Sequence, residues 1–63
     1  MKNRVKLYRR KRYLSQRELS DRTGISRVSI SKIERFKQVP GLIIAMKLAR
    51  ELRIPVGQLF FLG

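Results

Sequence analysis

The side chains able to do chemistry are few in kind. Glu18, Asp21, Glu34 and Glu51 are the only carboxylates in 63 residues, and cysteine and histidine are both absent. Thiolate metal sites, disulfides and imidazole acid–base chemistry are thereby excluded, and the four carboxylates form no catalytic constellation. The expectation is a protein that is not an enzyme and has no catalytic residue, metal ligand or cofactor. Against those four acids stand 16 Lys and Arg, a formal charge of +12. A domain this small gains no stability from self-repulsion, so the excess points to a polyanionic partner. Nucleic acid is the first candidate and an anionic membrane surface the second.

The cations and hydroxyls best placed to meet such a partner lie in "GISRVSISKIER", residues 24–35. Ile25, Ile30 and Ile33 have helix-compatible spacing. With Ile30 and Ile33 turned inward, a rotation of about 100° per residue brings Arg27, Val28, Ser31, Lys32 and Arg35 onto the opposite face. Arg27, near the helix start, can address two acceptors of a guanine, and Lys32 can do so as a point charge. Val28 can pack on a thymine methyl, while Ser31 is short enough to let the backbone come close. These four are the candidate base-reading residues. Ser15, Gln16, Arg17, Ser26, Arg35 and Lys37 are the candidate phosphate contacts, which position without reading sequence. Bland alternatives stand beside these roles: Arg27 and Lys32 as solvated charges, Val28 as a stray surface residue, Gln16 as an ordinary helix-start residue. The cation run Arg9 to Arg12 is assigned to general electrostatics.

Short helices must hold these side chains. A first helix is predicted from about Asn3 to Arg12, with Val5, Tyr8 and Leu7 inward. "SQRE", Ser15 to Glu18, has the pattern of a capping box, so a second helix starts there and ends at Gly24. Leu19, Ser20 and Thr23 should face its core side. Ser26 offers the next N-cap, and a third helix runs from about Arg27 to Arg35. Pro40 is read as opening a fourth, with Leu42, Ala45, Met46, Ala49 and Leu52 at three to four residue spacing. Pro55 opens a fifth through Val56, Leu59 and Phe60, and Phe61, Leu62 and Gly63 remain as a tail. No strand is expected, because no period-two run is bounded by hairpin residues. The fold class is therefore all-α: a compact five-helix bundle, one domain over residues 1–63. No apolar run is long enough to span a bilayer and the basic start lacks the pattern of an export signal, so a cytoplasmic location is expected.

The stretch Gln16 to Arg35 also has the spacing of a helix-turn-helix: Leu19 and a small Ser20, then Thr23, Gly24 and Ile25, then Ile30 and Ile33. With it, "LSQRELSDRTGISRVSISKIE" followed by "VPGLIIAMKLARELRIPVGQLF" resembles the Cro and lambda-repressor-like helix-turn-helix regulators, often called the XRE family, most closely its short stand-alone members. The likeness runs from about Val5 to Phe60. It implies a five-helix DNA-binding domain with its third helix in the major groove of double-stranded DNA, acting as a homodimer on a twofold-symmetric operator in the nucleoid of a prokaryote or virus. By position, it implies phosphate contact at Gln16 and Arg17, base contact at Arg27, Val28 and Lys32, and a buried Arg9–Glu34 pair tying the first helix to the third. Three positions depart from the family pattern, which commonly has glycine there: Tyr13, Phe36 and Arg53. The apolar end of the chain, Val56, Leu59, Phe60, Phe61 and Leu62 within residues 56–63, is the candidate dimer contact. The alternatives are an antitoxin-like accessory DNA binder with a protein partner and a non-specific, charge-driven nucleic-acid binder.

Overall fold

The computed structural model describes residues 2–62. Along the chain it places β1 (Lys2–Asn3), α1 (Val5–Lys11), α2 (Gln16–Thr23), α3 (Arg27–Glu34), α4 (Leu42–Leu52), α5 (Val56–Leu59) and β2 (Phe60–Phe61). The all-α expectation holds for the body of the fold, and its five helices pack around one core. Val5, Leu19, Ile30, Ile33, Leu48 and Leu59 are its largest fully buried side chains.

The helix-turn-helix forms for local reasons. The Ser15 hydroxyl accepts from the Glu18 amide at 3.0 Å, and a Glu18 carboxylate oxygen accepts from the Ser15 amide at 2.9 Å, completing the capping box that starts α2. Gly24 ends α2 in the left-handed region, at φ 75°. Within the turn, the Thr23 hydroxyl donates to the Leu19 carbonyl at 2.8 Å and accepts from the Ile25 amide at 3.2 Å. The Ser20 hydroxyl donates to the Ile25 carbonyl, which pins the entry to α3 against α2. Ser26 then caps α3 by accepting from the Ser29 amide at 3.1 Å.

Three helices end in one and the same reversal. Leu14, Lys37 and Ile54 each donate to the carbonyl five residues back, on Arg9, Lys32 and Ala49, at 3.1, 2.8 and 3.1 Å. The residue before each donor has to take a positive φ. Those residues are Tyr13 (φ 56°), Phe36 (φ 60°) and Arg53 (φ 58°), the three positions that depart from the glycine of the resembling family.

The structure corrects four sequence expectations. Residues 2 and 3 form a two-residue antiparallel ladder, Lys2 facing Phe61 and Asn3 facing Phe60, so α1 begins only at Val5. A ladder this short has no periodicity to read. Asn3 also accepts from the Val5 amide at 3.1 Å and donates to the Ile33 carbonyl at 2.9 Å, which ties the chain start to α3. Leu7 is exposed, not inward. Pro40 does not open α4: Gly41 is its N-cap and Leu42 its first residue. Finally, the buried stripe of α4 is Ala45, Leu48, Ala49 and Leu52, which rotates Leu42 and Met46 out to solvent together with Ile43. No described helix is long and apolar enough to cross a membrane.

Candidate nucleic-acid interface

The candidate DNA-facing surface is set by what α3 buries. Ile30 and Ile33 are fully buried, and this forces Arg27, Val28, Lys32 and Arg35 into solvent, with Ser31 half-buried between them. Gln16, Arg27, Val28, Ser31 and Arg35 line one open cleft where the start of α2 meets α3. Three of the four candidate base-reading residues are thus brought together there, and Lys32 stands exposed on the same helix. Arg17 and Lys37 are exposed on the elements that flank the cleft.

The acid closest to this face is silenced. Glu34 is 9% exposed, and Arg9 grips it with two parallel donors, Nε to Oε2 at 2.7 Å and Nη2 to Oε1 at 3.1 Å. The Arg9 Nη1 donates to the Leu14 carbonyl at 2.7 Å, so one guanidinium joins α1, the α1–α2 turn and the end of α3. Glu51 is likewise engaged, by Arg12 and Arg22 at 3.9 and 3.5 Å. Glu18 is held in its capping box, where the Ser15 amide, then the Ser15 hydroxyl and Arg22, keep its carboxyl below the usual range. Among the described residues the one acid carried by α3 is Glu34, and it is paired; the fourth acid, Asp21, is exposed on α2, so cations dominate the exposed face of α3.

Sequence reasoning missed one member of the buried network. The Gln16 side-chain amide donates to Glu34 Oε1 at 3.1 Å, and Gln16 is half-buried. One of its two amide hydrogens is thereby committed, which leaves a single N–H for a phosphate. Its place at the first position of a helix whose neighbour ends in a buried acid was the available signal. Ser26 uses its oxygen as a cap acceptor and its hydroxyl hydrogen stays available to an anion, whereas the Ser15 hydroxyl is engaged with Glu18.

The proposed dimer segment changes character. Leu59 is 0% and Phe60 8% exposed, so both belong to the chain's own core and cannot serve a partner. Phe61 is half-buried in β2, with the Arg4 guanidinium 4.5 Å from its ring centre. Of the five named apolar residues only Val56 and Leu62 are exposed, and Gly63 lies outside the described residues. The larger exposed apolar surface is Leu42, Ile43 and Met46 on α4, with Val39 just before it. Its signal was the run "LIIAM", which carries more apolar side chains than one buried stripe uses.

Over residues 5–59 the chain matches the helix-turn-helix family. Among solved structures it is similar to the restriction-modification controller protein C.AhdI from Aeromonas hydrophila, with 32% identity and a TM-score of 0.84. That similarity covers 90% of this chain and 86% of C.AhdI. No curated protein matches the chain.

Proposed function

The chain belongs to the helix-turn-helix family and is a DNA-binding transcriptional regulator; from that premise we propose that it binds as a homodimer to a twofold-symmetric operator, each copy laying α3 in the major groove. Two half-sites about one helical turn apart would present matching faces to the two copies. Arg27, Val28, Ser31 and Lys32 read bases; Arg17, Arg35, Lys37 and the capped helix starts at Ser15 and Ser26 hold phosphates. Gln16 acts mainly by orienting Glu34, with its remaining N–H turned to a phosphate. The second copy docks through Val39, Leu42, Ile43 and Met46. The activity is binding, not catalysis, and it is exercised where the cell's DNA lies, in the cytoplasm and its nucleoid.

A single observation carries this reading. The one acid carried by α3, Glu34, is paired, and the helix is anchored from behind by buried Ile30 and Ile33 and by the Arg9–Glu34 pair, which leaves its cations on the solvent face. The test compares reading with gripping. Arg27→Ala and Lys32→Ala should each lower affinity for an operator selected from random DNA by about 1–3 kcal/mol while sparing a scrambled duplex. Arg17→Ala should weaken both duplexes alike and flatten the salt slope by about one unit. Equal losses on both duplexes for Arg27→Ala and Lys32→Ala would instead make the protein a charge-driven nucleic-acid binder.

A further inference from the structure

Tyr13, Phe36 and Arg53 carry side chains at a positive φ, where a glycine would sit without strain. Two of the three are aromatic, and both leave most of their surface to solvent: Tyr13 is 93% exposed and Phe36 58% exposed. Strain of this kind, kept without an internal return, marks a residue held for an outside contact.

The place of that contact follows from the buried network. Arg9 donates to the carbonyl of Leu14, next to Tyr13, and to the carboxylate of Glu34, two residues before Phe36. Gln16 donates to the same carboxylate. Both reversals are therefore drawn to the edge where Gln16 and Arg35 line the recognition cleft. Phe36 itself stands between Arg35 and Lys37; the acid nearest to it in the chain, Glu34, and the one nearest to Tyr13, Glu18, are both committed to internal hydrogen bonds. Exposed rings among uncompensated cations suit a polyanion that also offers apolar sugar edges. They do not suit a second copy of a chain with formal charge +12.

We propose that Tyr13 and Phe36 are apolar platforms for the deoxyribose–phosphate backbone, flanking the junction of α2 and α3. The proposal rests on the DNA-binding reading above. The left-handed turn gives each ring a rigid base, so little freedom is lost when DNA arrives. Because the contact is to sugar and not to bases or charge, its contribution is the same on every sequence and independent of salt.

Tyr13→Gly and Phe36→Gly in the full chain test this directly, because they relieve the backbone while removing the ring. Each should raise the melting temperature by about 3–8 °C, which separates lost contact from lost fold. Each should also lower affinity for operator and scrambled duplex by the same factor, about three- to tenfold, with an unchanged salt slope. Tyr13→Asn and Phe36→Asn, which keep a residue tolerant of positive φ, should show the same loss. Wild-type affinity in the Gly and Asn variants removes that residue from the interface, and at both positions it overturns the proposal. A loss of self-association by Phe36→Gly, seen in ultracentrifugation with half-site affinity intact, assigns that ring to a second copy and also overturns it. Arg27→Ala on the same duplexes separates the two levels. If the operator preference depends on Arg27 while the Gly variants bind normally, only the platforms fail; if wild type binds neither duplex, the DNA-binding reading fails with them.

Discussion

Glu34 is where charge and fold meet. Its carboxylate accepts from two nitrogens of Arg9 and from the Gln16 amide, and the carboxylate and the guanidinium are almost fully withdrawn from water. Removing one member of such a pair leaves the other charge buried without a counterion, so Glu34→Ala should cost on the order of 3 kcal/mol. Glu34→Gln should cost less, since it keeps an acceptor for Arg9 but not the charge. Chemical denaturation at neutral pH distinguishes the two, and wild-type stability in both would show that the pair does not hold α1 to α3. Glu18 contributes to acid behaviour. Its hydrogen bonds to Ser15 favour the ionised form and lower its pKa, so its contribution is present above the ordinary carboxylate range and is lost as pH falls through the lowered value. Glu18→Gln should therefore flatten the dependence of melting temperature on pH below about 4.5, where wild type declines. A variant whose acid decline matches wild type would remove Glu18 from that role.

Helix ends decide the geometry between elements. Gly24 and Arg53 both occupy left-handed caps, at φ 75° and 58°, one with the residue suited to it and one without. A Cβ added at Gly24 would meet nothing within 4 Å, so the penalty of Gly24→Ala is purely conformational, about 1 kcal/mol. Arg53→Gly should move stability the other way. Relief of the backbone, less the extra freedom glycine gives the unfolded chain, leaves a gain of about 0.5–1 kcal/mol. Thermal melts of the two single variants should bracket the wild type by several degrees. If Arg53→Gly melts below wild type, its exposed guanidinium contributes more than the strain costs.

At the scale of the molecule, apolar surface left outside the core is the basis of the proposed self-association. Leu59 and Phe60 lie in the core, and Leu59→Ala should cost about 2–5 kcal/mol of stability, as a deletion in a packed interior does. Ile43 and Met46 lie in solvent, so replacing both with serine should leave stability nearly unchanged while weakening self-association at least about tenfold. Shortening the chain by Leu62 and Gly63 should leave the association constant unaltered. Sedimentation equilibrium of the three variants gives the comparison. Normal association in the serine pair, or its loss in the shortened chain, would move the interface from α4 to the C-terminal segment.

The helix-turn-helix was legible in the sequence because its determinants are local. Ser15 with Glu18, Gly24 and Ser26 satisfy helix ends through neighbours within four residues, and the isoleucine spacing alone orients Arg27, Val28, Ser31 and Lys32. The pairing of Arg9 with Glu34 was legible only through family resemblance, since 25 residues separate them. Other features needed the tertiary structure. Gln16 joins Glu34 only when α2 packs on α3, and residues 2 and 3 pair with Phe60 and Phe61 only when the chain ends meet. Which apolar residues of "LIIAM" are buried depends on the rotation of α4 against its neighbours. Spacing allows more than one inward stripe, and packing selects the one through Ala45, Leu48, Ala49 and Leu52. Sequence periodicity thus determined that an apolar face exists, and tertiary packing decided which apolar side chains are buried and which remain in solvent.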